Sequence, residues 1–258
     1  MSIDTHSHIM DDAFNEDREV VIRRIEENHM EKCMIICSRL EEVLPAIELK
    51  KKNPIFQVAV GIHPEDVTRA QELWETFMEY SSYPEIDAIG EIGLDYYWDK
   101  EHKEEQKQLF INQIKRAIEL NKPILVHARD AIQDTYDIMK EYQCTGVMHC
   151  FAGSVEMAKE FTKLGYYLAF GGALTFKNAK HSVEVVNAID MKYLLTETDC
   201  PYMAPVPLRG KRNEPSYVSL VAEKMAEFKG LTVKEVDQIV LNNYERLLNN
   251  LPADSKNK

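Results

Sequence analysis

Short apolar runs alternate along this chain with longer stretches whose apolar residues recur every three or four positions. The first run, Ile3-Asp4-Thr5-His6-Ser7-His8, reads as a strand. Others follow at Cys33–Cys37, Ile55–Ile62, Ile86–Glu91, Pro123–His127, Thr145–His149, Tyr166–Phe170 and Tyr193–Thr198. Between them, Arg18–His29, Leu40–Lys52, Arg69–Tyr80, Glu101–Asn121, Ala131–Tyr142, Ser154–Leu164 and His181–Ile189 read as helices. After a Pro-rich loop, Pro201 to Pro215, come two more helices. Ser154 is placed as an N-cap, Thr232-Val233-Lys234-Glu235 as a capping box, and Gly230 as a helix stop.

Brief apolar strands, each followed by a helix, predict a parallel sheet covered on both faces. Eight such units in 258 residues fit an α/β fold, a (β/α)8 TIM barrel with an extra C-terminal helix. An open doubly wound sheet is the alternative, but no G-x-G-x-x-G follows the first run. No linker or repeat splits the chain, which predicts one domain over residues 1–251 and a polar, frayed tail over 252–258.

Catalytic groups of such barrels sit at the C-terminal ends of the strands. Here those ends carry His6 and His8, His63, Glu91, His127, His149 and Asp199. His6 and His8 are two apart, so on a strand they share a face. Histidines scattered at random would fall mostly in helices and loops, as His29, His102 and His181 do. Four imidazoles (His6, His8, His127, His149) and two carboxylates (Glu91, Asp199) exceed what one tetrahedral ion needs. With a bridging carboxylate they suit two divalent ions about 3.5–4 Å apart, able to activate water and hold the attacking and leaving oxygens. Zinc and manganese, and less readily magnesium, accept such mixed donors.

Composition narrows the function further. The formal net charge is −12, so the chain as a whole does not attract nucleic acid or anionic membrane. A polyanionic substrate would need local cations, and two dications would supply them. No apolar run approaches the roughly 20 residues of a membrane span, and no signal peptide is visible. The five cysteines lack disulfide-scaffold spacing and read as reduced thiols. The expectation is a cytoplasmic protein, monomeric, with no membrane and no obligate protein partner.

Several motifs then act together: Asp4-Thr5-His6-Ser7-His8, Gly61-Ile62-His63-Pro64, Gly90-Glu91-Ile92-Gly93-Leu94-Asp95-Tyr96-Tyr97, His127-Ala128-Arg129-Asp130, His149-Cys150-Phe151, Glu197-Thr198-Asp199-Cys200-Pro201-Tyr202, Arg209-Gly210-Lys211 and Asn213-Glu214-Pro215. In order and spacing they resemble the TatD-like metal-dependent deoxyribonucleases, relatives of the amidohydrolase barrels, over essentially residues 3 to 250. Cys200 is a mild departure, since family members often carry another small residue there. The resemblance implies a metal-dependent hydrolase acting on DNA, with 3′–5′ exonuclease action on single strands as the expected mode. It implies that His6, His8 and Asp199 hold one metal, His127 and His149 a second, and that Glu91 bridges them. Asp199 would orient or deprotonate the attacking water. His63 would contact a phosphate or assist the leaving group.

Other residues keep two readings. His63 could simply cap a helix. Asp4 either orients a ligand or is a buried acid with a backbone partner. Arg129 meets a phosphate or pairs with an acid. Tyr96 and Tyr97 stack on bases or pack. Arg209, Lys211 and Arg212 contact phosphate or line a solvated loop, with Gly210 allowing close approach. Gly171-Gly172 follows the seventh run, where phosphate sites recur. Cys150 should point away from the metals. Two other functions stand beside the nuclease: a metal-dependent esterase or amidohydrolase, such as a D-aminoacyl-tRNA deacylase, and a non-enzymatic binding factor. Glu91 argues against the branch that bridges its metals with a carbamylated lysine.

Overall fold

The apolar runs become parallel strands because each is long enough only for a strand and is followed by an amphipathic helix that covers it. In the structure, a computed structural model that describes residues 2–252, the elements follow one another in that order. They are β1 (Ile3–Ser7), α1 (Arg18–Glu27), β2 (Lys32–Cys37), α2 (Val43–Lys52), β3 (Phe56–Val60), α3 (Ala70–Ser81), β4 (Ala88–Asp95), α4 (Lys103–Glu119) and β5 (Ile124–Arg129). Then come α5 (Ile132–Glu141), β6 (Gly146–Met148), α6 (Val155–Lys163), β7 (Tyr167–Phe170), α7 (Lys180–Ala188), β8 (Leu194–Thr196), α8 (Val218–Lys229) and α9 (Val233–Leu248).

The sheet order is β1 through β8, in chain order, each neighbour pair parallel. The ends of this sheet meet. Ser7 and Cys200 form a parallel bridge, His8 N–H donates to Cys200 O at 2.9 Å, and Asp199 N–H donates to His6 O at 2.9 Å. Below that bridge, threonine hydroxyls replace ladder bonds: Thr5 Oγ1 donates to Thr196 O at 3.1 Å and Thr196 Oγ1 to Ile3 O at 2.8 Å. The barrel, rather than the open sheet, is therefore the architecture. α9 is the extra helix. Asn243 on it donates to Leu194 O at the start of β8, and Tyr244 on it donates to Gln57 near the start of β3, so it lies at the N-terminal end of the strands.

The predicted caps form. Ser154 accepts from Met157 N–H, Thr232 and Glu235 close a capping box, and Gly230 ends α8 at φ 64°. β4 runs further than its apolar residues suggested. It continues through Asp95, pairing Gly93 with His127 and Asp95 with Arg129. Gly93 makes this possible: it sits at φ 143°, and a Cβ there would meet His127 O at 2.0 Å. No helix among the described residues is long and apolar enough to cross a membrane. Beyond Pro252, the expected tail lies outside the described residues.

Candidate metal centre

β1 delivers His6 and His8 to one face, both buried, with their Nε2 atoms 3.2 Å apart. β4 delivers Glu91, whose two oxygens face different partners. Oε2 lies 3.3 Å from His6 Nε2 and 3.7 Å from His8 Nε2. Oε1 lies 2.8 Å from His127 Nδ1, 3.4 Å from His149 Nε2 and 3.7 Å from His63 Nε2. Asp199 approaches from beyond β8, with Oδ1 3.3 Å from His8 Nε2 and 3.9 Å from His6 Nε2. All six donors predicted from the strand ends thus converge, and His63 joins them. Donors bonded to a zinc-like ion at about 2.0–2.2 Å stand roughly 3.4 Å apart at tetrahedral angles. These spacings are of that size, and the nitrogen and oxygen donors suit a divalent transition ion.

The ring nitrogens turned away from the centre are held as well. Ser38 Oγ meets His8 Nδ1 at 2.7 Å, Asp95 Oδ2 meets His127 Nε2 at 3.0 Å, and Glu197 Oε2 meets His149 Nδ1 at 3.3 Å. Such partners fix ring orientation and raise the basicity of the inward nitrogen. Sequence reasoning missed Ser38 and Glu197 as ring partners, and ended the fourth run at Glu91, short of Asp95. Glu197 stands two residues before Asp199 at the end of an apolar run, a signal that was available. Nothing local marks Ser38.

Two residues defy strand alternation. Cys150 sits at φ 43° and Asp199 at φ 54°, both left-handed, just after their strands end. Alternation no longer applies there, so Cys150 does not point away: its Sγ lies 3.9 Å from Asp199 Oδ2. Asp4 is the buried acid with backbone partners. It accepts from Thr198 N–H at 2.8 Å, Thr198 Oγ1 at 2.6 Å and His6 N–H at 3.3 Å, tying β1 to the chain after β8.

The charges reinforce one another. Burial pushes the Glu91 carboxyl up, but the His149 and His6 charges and bonds from His127 and His6 outweigh it and hold it well below the usual range. Burial also works against Asp199, and His8 and His149 hold it low. Against burial, Asp95 and Glu91 raise His127 to about 9. Likewise Glu197 and Glu91 raise His149 to about 10. His6 is lowered, by burial and by His149, whose ring stacks on it at 3.7 Å. Without metal, His127 and His149 carry positive charge beside the ionised Glu91 and Asp199.

The expected substrate contacts are placed unevenly. His63 does cap: its Nδ1 accepts from Glu65 N–H at 3.3 Å, leaving Nε2 facing Glu91. Tyr96 is buried, its hydroxyl donating to Asp134 at 2.8 Å, while Tyr97 and Trp98 are exposed. Arg129 makes no ion pair among the described residues and instead lies 3.9 Å over the Tyr97 ring. Arg209 and Lys211 are exposed, with Arg209 over Phe176, whereas Arg212 is held by Asp17 and Glu214. Gly210 has open space around it, so its φ of 86° is what calls for glycine. Gly172 packs instead: a Cβ there would meet Met203 O at 2.0 Å.

A family model described as TatD related DNase matches residues 3–249. The chain belongs to this family. It is 43% identical over 251 residues to YabD of Bacillus subtilis (strain 168), an uncharacterized metal-dependent hydrolase, covering 96% of this chain and 98% of that one. It is 36% identical to YcfH of Escherichia coli (strain K12), also an uncharacterized metal-dependent hydrolase, covering 95% of this chain and 94% of that one. Among solved structures, the TatD homolog YJJV of Escherichia coli K12 superposes with a TM-score of 0.89 at 27% identity, covering 95% of this chain and 97% of that one. The match to the TatD family spans every strand that carries a donor, so the barrel and its candidate centre are compared as one unit.

Proposed function

We propose that this metal-dependent hydrolase of the TatD family cuts phosphodiester bonds of DNA, trimming single strands from the 3′ end. The observation that carries the reading is Glu91, whose two oxygens face two separate donor sets. In this reading His6, His8 and Asp199 would hold one divalent ion and His127 and His149 another, with Glu91 serving both. When bound, such ions supply positive charge against the phosphate oxygens and lower the pKa of water.

The chain's own residues do the rest. Asp199 is held ionised at neutral pH, so an oxygen of its carboxylate is free to take the proton of the attacking water. The Nδ1 atom of His63 accepts from a backbone N–H, which leaves the ring N–H at Nε2. That N–H faces the site, where it can donate to a phosphate oxygen or to the leaving oxygen. Asp95, Glu197 and Ser38 keep three imidazoles from turning.

The test is cleavage of end-labelled single-stranded DNA by metal-stripped protein with Mg²⁺, Mn²⁺ or Zn²⁺ restored, beside Asp199→Asn. Metal-dependent shortening that falls by about 100-fold or more in the variant is expected. Undiminished cleavage by Asp199→Asn overturns the roles given to it. No cleavage at full metal occupancy moves the substrate to a carboxylic ester or amide.

A further inference from the structure

Three exposed aromatics stand at the C-terminal mouth of the barrel. Tyr97 is 50% exposed and Trp98 64% exposed on the loop after β4, and Tyr202 is 57% exposed on the loop after β8. Burying such rings is favourable, and here they are left in water beside a polar centre. The β4 pair is built, not loose. Asp95 Oδ1 accepts from the N–H groups of both Tyr97 and Trp98 at 2.9 Å. The other oxygen of the same carboxylate meets His127 Nε2 at 3.0 Å. One side chain therefore fixes the aromatic loop and orients a candidate metal ligand together.

Arg129 completes the arrangement. It follows His127 by two on β5, on the same face and about 7 Å along the strand. Its guanidinium lies 3.9 Å over the Tyr97 ring and 5.5 Å from that of Trp98, and the two rings meet edge to face at 4.9 Å. Among the described residues it makes no ion pair with an acid. On a chain of net charge −12, this is a positive charge left free beside the centre. Flat rings capped by a guanidinium fit a flat, polarisable partner attached to an anion.

We infer that Tyr97, Trp98 and Arg129 form a stacking platform for an unpaired nucleobase next to the phosphate that is cut. The inference rests on the phosphodiesterase reading and adds the reason for a single-strand preference. A base in a duplex has its faces covered by its neighbours, whereas an unpaired base offers a free face to the rings. Tyr202, edge-on to His8 at 6.4 Å, stands beside the other donor set, so aromatic surface flanks the centre on two sides.

Trp98 reports on its own occupancy. The chain has two tryptophans, and the other, Trp74, packs on Phe77 at 5.3 Å. In metal-loaded Trp74→Phe protein, stopped-flow emission is followed on mixing with a short oligothymidylate or with an abasic deoxyribose-phosphate strand of equal length. The oligothymidylate is expected to quench Trp98 at roughly 5- to 150-fold lower concentration than the abasic strand, the range of one stacked base. Trp98→Ala and Tyr97→Ala should bring the ratio of KM values for the two strands towards one. Equal quenching by both strands, or none, overturns the platform even if DNA is cleaved. Quenching without cleavage overturns the phosphodiesterase reading and leaves base stacking standing.

Discussion

In the proposed reading, Glu91, Asp199 and the four imidazoles around them would set up a competition between protons and metal ions at single atoms. In metal-free protein, His127 and His149 bind protons more tightly than in the unfolded chain, where histidine titrates near 6.5. Their pKa values are raised to about 9 and about 10. A raised folded pKa contributes stability that is fully present below about pH 6.5 and lost as pH climbs through the folded value. Urea midpoints of the metal-stripped protein should therefore fall between about pH 6.5 and about pH 10. The metal-loaded protein should show a smaller fall over that range, because the same nitrogens then hold ions instead of protons. Glu91 and Asp199 act oppositely: their depressed pKa values contribute stability above the unfolded carboxylate range, lost only as pH falls well below it. At this scale the sequence was partly legible. The donors closing the apolar runs could be read off, because residue type and position at a strand end are local facts. The roles of Ser38, Asp95 and Glu197 beside the imidazoles were not legible, since each meets a histidine at least 30 residues away.

Among the elements, β4 and β5 form the most demanding pair. Gly93 lets them close, and its neighbours in the ladder carry Glu91 on one side and His127 on the other. Gly93→Ala would place a methyl group against His127 O and force the strands apart. Such overpacking, with a side chain in an unfavourable φ, costs roughly 1–3 kcal/mol or more. The expected outcome is a lowered urea midpoint and loss of the second equivalent of bound metal in equilibrium dialysis, while the rest of the barrel still folds. Element type was readable from periodicity, and element ends less so. β4 outruns its apolar run because pairing with β5 continues past it. Near Cys150 and Asp199 the backbone turns left-handed, which cancelled the alternation used to aim Cys150. Lys50, in the last turn of α2, reaches Asp87 at 2.6 Å, a partner 37 residues on.

For the whole molecule, the proposed ions would place positive charge at one mouth of a chain whose net charge is −12. A basic DNA-binding surface loses affinity steeply with salt, because each neutralised phosphate releases counterions. Here general repulsion opposes a local attraction, and salt screens both. Cleavage of single-stranded DNA should therefore depend weakly on salt between about 50 and 200 mM, with kcat/KM changing by less than roughly tenfold, where a basic binder making 6–10 phosphate contacts loses about 10³–10⁵. A steep fall would point to a cationic track across the surface, with Arg209 and Lys211 the residues to examine.

By itself, the sequence determined the alternation of strand and helix, the barrel it implies, and the donors that close the strands. These follow from short-range periodicity and from the rule that a barrel gathers its strand ends at one mouth. Only the tertiary structure decided that Glu91 turns one oxygen to each donor set, that Asp95 and Glu197 hold the imidazoles, and that Arg129 lies on Tyr97 instead of on an acid. Each of those outcomes is a contact between side chains from different elements. It is settled by backbone angles and packing that exist only once the strands lie side by side.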